Sequence, residues 1–181
     1  MARFEEDVVA AGGAAGEAPR RKVMVAIDES ESSYRALVWA LKNLKENMKE
    51  VVIFMAQPPP QQCVAVAAPL SSALMFYPAS GSPEFVNCLR EQQRKFTLAL
   101  LDKAKEVCAN HGVNAETFTD EGDPKEAICS AVERFNINLL VMGEHDQGKI
   151  KRALVGSVSN YCVQKAKCPV LVVKPSQCGS H

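Results

Sequence analysis

Val23-Met24-Val25-Ala26-Ile27 runs directly into Asp28-Glu29-Ser30, and this stretch decides how the rest of the chain is read. Five apolar residues without polar alternation predict a strand covered on both faces, the signature of a parallel sheet. Asp28-Glu29-Ser30 ends the strand. Ser30 is placed to cap a helix, its hydroxyl accepting from an otherwise unpaired backbone N–H. Tyr34, Leu37, Val38, Leu41 and Leu44 then recur at helical spacing and give that helix one apolar face.

Outward from this unit the same alternation repeats. Val51-Val52-Ile53-Phe54-Met55-Ala56 is a second buried-strand run. Residues 57–83 hold six of the ten prolines, and so long a stretch without a pattern is either a cover over a site or a tolerated surface insertion. Glu84 to Asn110 reads as one long helix with Phe85, Leu89, Phe96, Leu100 and Val107 near one stripe. Gly112 fits the left-handed position that closes it. Val113 to Thr119 alternates as a strand nearer the sheet edge does. Gly122-Asp123-Pro124 starts a further helix, Asp123 as cap and Pro124 at its first position, continued by Ala127, Ile128, Ala131, Val132 and Phe135. Ile137 to Met142 is a strand, Ser157 to Lys167 a short helix, and Val170 to Val173 the last strand.

Strict alternation predicts an α/β fold: a five-stranded parallel, doubly wound sheet in order 3-2-1-4-5 with helices on both faces. The switch point then falls between the first and fourth strands, where ligands bind at the carboxyl ends. Topology alone therefore brings residues 26–30 opposite Met142-Gly143 and the bend after them. Residues 1–19 and 176–181 read as polar or Ala/Gly-rich tails around one domain, 20–175.

Composition narrows the function. The chain has 181 residues, with 21 Lys+Arg against 21 Asp+Glu. It lacks the basic excess that supplies most of a nucleic-acid binder's affinity, so nucleic acid is not an expected partner. No run of about 18 or more apolar residues occurs, so no membrane partner is expected either. The seven cysteines are odd in number and show no paired CxxC spacing, which argues against a disulfide framework or a zinc site and for a reducing, cytoplasmic setting. Cys88, Cys108, Cys129 and Cys162 fall in helical patterns and read as small buried side chains. Cys63 and Cys178 read as exposed thiols.

Gly143 and Gly148 flank a polar bend, and Gly156-Ser157 immediately precedes a helix. Glycine permits positive φ and close approach of a ligand to the main chain. Ser157, Val158 and Ser159 would offer free N–H groups at a helix N-terminus, which binds anions through those donors and the helix dipole. Lys149, Lys151 and Arg152 add positive charge nearby. An ordinary turn and cap would carry the same pattern.

Gly143-x2-Asp146-x9-Gly156-Ser157 after an apolar strand resembles the G-x2-G-x9-G-[S/T] motif of the universal stress protein family. Val23 to Ser30 resembles that family's opening strand and acid, Lys151 to Ser159 its phosphate loop and helix start, and Cys168-Pro169-Val170-Leu171-Val172-Val173-Lys174 its closing strand. The likeness spans about residues 20–175 and is greatest to plant members, which often carry a long insert after the second strand. It implies an adenine nucleotide alpha hydrolase-like fold holding ATP or AMP at the switch point, with Mg²⁺ as a further candidate. By position, Asp28 would contact the nucleoside, Ala26 and Ile27 would lie beside the adenine, and Ala56 would form part of its wall. Met142, Gly143, Gly148, Gly156, Ser157, Val158 and Ser159 would line the ribose and phosphates. Asp28 could equally be a turn or capping carboxylate, and His145 either bonds phosphate or faces solvent. A cytoplasmic or nuclear regulatory protein of stress responses is the implied role.

Asp146 departs from the motif, which has glycine there. Aspartate tolerates left-handed geometry better than most residues, but its charge disfavours a triphosphate unless a divalent cation bridges them. Mg²⁺-assisted ATP binding, a preference for AMP, and weak binding are the three consequences. Two other functions compete: a weak ATPase, for which Glu144, His145 and Asp146 have the right types but no spacing that assigns roles, and a dimeric scaffold that does not bind nucleotide. Homodimerisation through the apolar edge strand Val170–Val173 follows from the tendency of open edges to pair.

Overall fold

The computed structural model describes residues 21–59, 83–144 and 156–174. β1 (Arg21–Ala26) leads into α1 (Glu31–Asn43) and, through a 3-10 turn (Lys45–Asn47), into β2 (Met48–Gln57). α2 (Pro83–Asn110), β3 (Ala115–Glu121), α3 (Pro124–Arg134), β4 (Leu139–Gly143), α4 (Ser157–Lys165) and β5 (Val170–Val173) complete the chain order. The strands form one sheet in order β3-β2-β1-β4-β5, and every neighbouring pair is parallel. This is the fold class expected from the sequence.

The period of two along a strand explains the unbroken apolar runs. Val23 and Val25 point to one face with Val51, Ile53 and Val141, where Leu37 and Leu41 of α1 and Leu101 and Cys108 of α2 cover them. Met24 and Ala26 point to the other with Val52, Phe54, Leu140 and Met142, beneath Ile128 and Val132 of α3 and Cys162 of α4. Each Val, Leu, Ile or Phe so buried contributes about 1.5–3 kcal/mol. A strand apolar on both faces is stable only in such a three-layer arrangement.

Several local expectations shift. The fully buried stripe of α2 is Thr97, Leu101, Ala104 and Cys108; of the expected stripe, Leu100 and Val107 pack half-buried against the core and Phe96 turns away from it. Phe96 is 52% exposed. Small side chains let the helix backbone approach the sheet, so they take the inner face. Cys88 is exposed rather than buried, because it lies ahead of that stripe. In α1 the inner face turns toward Ala36, Leu37, Ala40 and Leu41, and Tyr34 faces outward.

β3 starts at Ala115 because Val113 belongs to the end of α2. Gly112, at φ 69°, donates to the Ala109 carbonyl, and the Val113 N–H donates to that of Cys108. These bonds satisfy carbonyls that a helix end otherwise leaves unpaired. β4 begins at Leu139 rather than Ile137, since Asn136 turns the chain at φ 51° and the Asn138 side chain accepts from the Lys22 N–H. α4 ends at Lys165, two residues early, where Ala166 is already extended. No helix among the described residues is long and apolar enough to cross a membrane.

Candidate functional site

A cavity of about 290 Å³ opens at the carboxyl ends of the central strands. Ala26, Ile27 and Asp28 reach it from β1, Ala56 and Pro58 from the end of β2, and Met142 and Gly143 from the end of β4. Three helix starts close it: Ser30, Ser32 and Ser33 of α1, Pro124 and Ile128 of α3, and Gly156 to Ser159 of α4. Ten expected site residues meet there: Ala26, Ile27, Asp28, Ala56, Met142, Gly143, Gly156, Ser157, Val158 and Ser159. The expectations for His145, Asp146 and Gly148 lie outside the described residues, as do those for Cys63 and Cys178.

The three helix starts are built differently. At α1, the Ser30 side chain accepts from the Ser33 N–H at 3.2 Å. At α3, the Asp123 carboxylate accepts from the Lys125 N–H at 2.9 Å, and Pro124 brings no N–H of its own. At α4, the cap position is Gly156, and no side chain bonds to the first turn. The N–H groups of Ser157, Val158 and Ser159 have no acceptor within a helix, and here they border the cavity. Ser159 is 3% exposed, and its hydroxyl donates to the Gly156 carbonyl at 3.1 Å. That carbonyl also accepts from the Asn160 N–H, which fixes Gly156 as the cap.

Asp28 is first of all a turn residue. Its Oδ1 accepts from the Ser30 N–H at 2.9 Å and from the Ser30 hydroxyl. The Ser33 hydroxyl accepts from the Asp28 N–H at 3.1 Å and lies 3.0 Å from the Asp28 carbonyl. These bonds hold the β1–α1 loop in one shape, with Asp28 exposed at the cavity. Its role in the turn and its place at the cavity therefore coexist.

Gly143 serves a purpose other than the one its sequence suggested. Its φ is not positive. A Cβ there would lie 2.5 Å from the Ser32 carbonyl carbon and 2.8 Å from the Ser33 nitrogen, and closer still to the Ser32 oxygen. The end of β4 thus passes against the backbone of the first turn of α1, and only glycine fits. Sequence reasoning also missed Ser32, Ser33, Pro58, Pro124 and Ile128. The motif lies on β4 and α4, whereas these residues border the cavity through the packing of α1 and α3 and through the chain leaving β2. Pro124 alone was legible, as a helix start next to a strand end.

Chemically, the cavity joins an apolar side, made by Ala26, Ile27, Ala56, Ile128 and Met142, to a row of backbone N–H donors at α4. Among the described residues no group of three or more His, Cys, Asp or Glu side chains is placed to hold a metal.

The model of the universal stress protein family matches residues 19–174. Universal stress protein YxiE of Bacillus subtilis is 31% identical over 153 residues, covering 84% of this chain and 98% of that protein. A universal stress protein family protein from Arabidopsis thaliana, solved with AMP bound, superposes with a TM-score of 0.56 at 28% identity, covering 87% of this chain and 97% of that one. UspA from Lactobacillus plantarum shares the fold, with a TM-score of 0.64 at 19% identity over 86% of this chain and 99% of that one. Sequence, topology and the cavity at the switch point agree, and the chain belongs to the universal stress protein family.

Proposed function

We propose that this chain binds an adenine nucleotide, AMP or ATP, in the cavity at the carboxyl ends of β1, β2 and β4, and acts in stress responses through that binding. The observation that carries the reading is the uncapped start of α4, whose free N–H groups line the cavity. The base fits the apolar side formed by Ala26, Ile27, Ala56 and Met142, and Asp28 stands where the nucleoside would meet the β1–α1 loop. Phosphate takes the N–H groups of Ser157, Val158 and Ser159, with Gly143 and Gly156 beside it. AMP in the solved Arabidopsis relative supports the same ligand class here. Asp146 adds a negative charge, so ATP is expected to require Mg²⁺ whereas AMP is not.

A ligand at about 100 times its dissociation constant adds about 2.7 kcal/mol to stability. AMP, or ATP with Mg²⁺, is therefore expected to raise Tm. Gly156→Val, which fills the approach to the donors, should abolish that shift and leave the far-UV spectrum unchanged. No shift with millimolar nucleotide, and none co-purifying by mass spectrometry, would overturn the reading. Phosphate release that vanishes in His145→Ala would instead favour an ATPase.

β5 supports homodimerisation. It ends the strand order of the described residues, its four residues Val170–Val173 are apolar and half-buried, and apolar edge strands tend to pair with a second copy. Light scattering should give twice the chain mass, and Val172→Lys should shift it toward the monomer.

A further inference from the structure

The face of the sheet under α3 and α4 holds three cysteines of the described residues, and two of them touch. Cys129 Sγ of α3 lies 4.0 Å from Cys162 Sγ of α4. Cys162 is fully buried in the core, and Cys129 is half-buried beside it. Cys168, also half-buried, packs against the same cluster. Their helices are two of those that close the cavity: Ile128 precedes Cys129, and Ser159 lies less than one turn before Cys162.

We propose that Cys129 and Cys162 are a modification site, forming an intramolecular disulfide that joins α3 to α4 when a low-molecular-weight disulfide supplies the oxidising equivalents. A disulfide requires an S–S distance of about 2.05 Å with Cβ atoms about 3.5–4.5 Å apart, so the sulfurs close by about 2 Å. Two thiols held side chain to side chain on packed helices need only rotamer changes and a small helix shift to do so.

The order of events is set by access. Cys129 is the thiol a solvent-borne reagent can reach. Burial raises its pKa, an effect that its contact with Cys162 offsets only in part and that Glu133 reinforces. Burial pushes Cys162 up to about 12. Cys129 therefore gives up its proton first. Its thiolate attacks one sulfur of the small disulfide, that S–S bond breaks, and one small thiolate leaves. Cys162 then loses its proton, attacks Cys129 Sγ and expels the second small thiolate. The cysteine pair loses two electrons, the reagent gains two, and the two protons end on the released thiols. The link fixes the spacing of the two helices beside the cavity.

The test is a peptide map of the full chain after exposure to oxidised glutathione, alkylated without reduction. The expected major product is one cross-linked peptide pair carrying Cys129 and Cys162, lighter than the reduced pair by two hydrogens. It should form in Cys168→Ser and be absent in Cys129→Ser. Its rate should rise about tenfold per pH unit near neutrality, following the thiolate fraction of Cys129. Recovery of Cys129 and Cys162 as separate alkylated or glutathionylated peptides would overturn the proposal, as would a Cys129–Cys168 link. If Cys129→Ser does not fold, the maps of the native chain and of Cys168→Ser decide between these results.

Discussion

The starts of α1 and α4 both meet the cavity at the switch point, yet they are finished in opposite ways. α1 is closed by its own sequence: Ser30 caps the Ser33 N–H, and Asp28 and Ser33 tie the loop behind it. α4 begins at Gly156, which has no side chain to offer. A polar cap is usually worth about 1 kcal/mol. The chain gains that at α1 and forgoes it at α4. In its place α4 keeps a row of unpaired donors and the positive end of a helix dipole, the groups that hold an anion. A helix start closed by its own side chains stabilises the fold, whereas one left open has binding capacity.

The largest expected effect comes from Gly143, the residue packed against the start of α1. Gly143→Ala drives a Cβ into the Ser32–Ser33 backbone, which cannot move as a flexible side chain would. Overpacking costs typically about 1–3 kcal/mol, and a backbone clash lies at or above that upper end. Denaturant unfolding should show a clear loss of stability even without nucleotide.

Next, Ser157→Pro sharpens the contrast without adding bulk to the core. Proline is tolerated at the first helical position, and Gly156 at ψ 156° has the extended shape that a residue before proline prefers. The change deletes one donor. A hydrogen bond to a charged group is worth about 1.5–3 kcal/mol, so AMP affinity should fall roughly ten- to a hundredfold while Tm of the free protein stays close to native. Unchanged affinity would place the phosphate elsewhere.

The reverse substitution acts on the other start. Ser30→Ala removes the cap of α1 and should cost about 1 kcal/mol of stability, measured by urea unfolding, with a smaller effect on AMP affinity than Ser157→Pro. The smallest effect lies far from both helix starts. The Lys22 ammonium, 2.8 Å from Glu50, holds that carboxyl below its ordinary value of 4.5. A lowered folded pKa contributes stability above the unfolded value, and that contribution is lost as pH falls through the folded one. Glu50→Gln should thus slightly flatten the acid limb of the Tm–pH curve and leave nucleotide binding untouched.

The strands and their order were legible because runs such as Val23–Ile27 and Val51–Ala56 can be buried only between two helix layers. The inner face of α2 was not. Phe96 outweighs Thr97 and Ala104 on hydrophobicity, yet close helix–sheet packing buries the two smaller residues and turns Phe96 outward. At the site, the backbone donors of α4 were legible from Gly156-Ser157. The wall from α3 and the close contact at Gly143 were not, because they depend on how separate elements pack. Asp28 could be read either as a turn residue or as a ligand contact, and the structure lets both stand, since Ser30 occupies only Oδ1.

The most direct measurement is calorimetric titration of AMP and of adenosine into the native chain and into Gly156→Asp, whose added carboxylate would close α4 as Ser30 closes α1. The two ligands differ only in the phosphate. The native chain should bind AMP tighter than adenosine by at least about tenfold, or about 1.4 kcal/mol, and this difference should disappear in Gly156→Asp. Equal affinities for the two ligands in the native chain, or an AMP preference that survives in Gly156→Asp, would contradict phosphate binding at the start of α4.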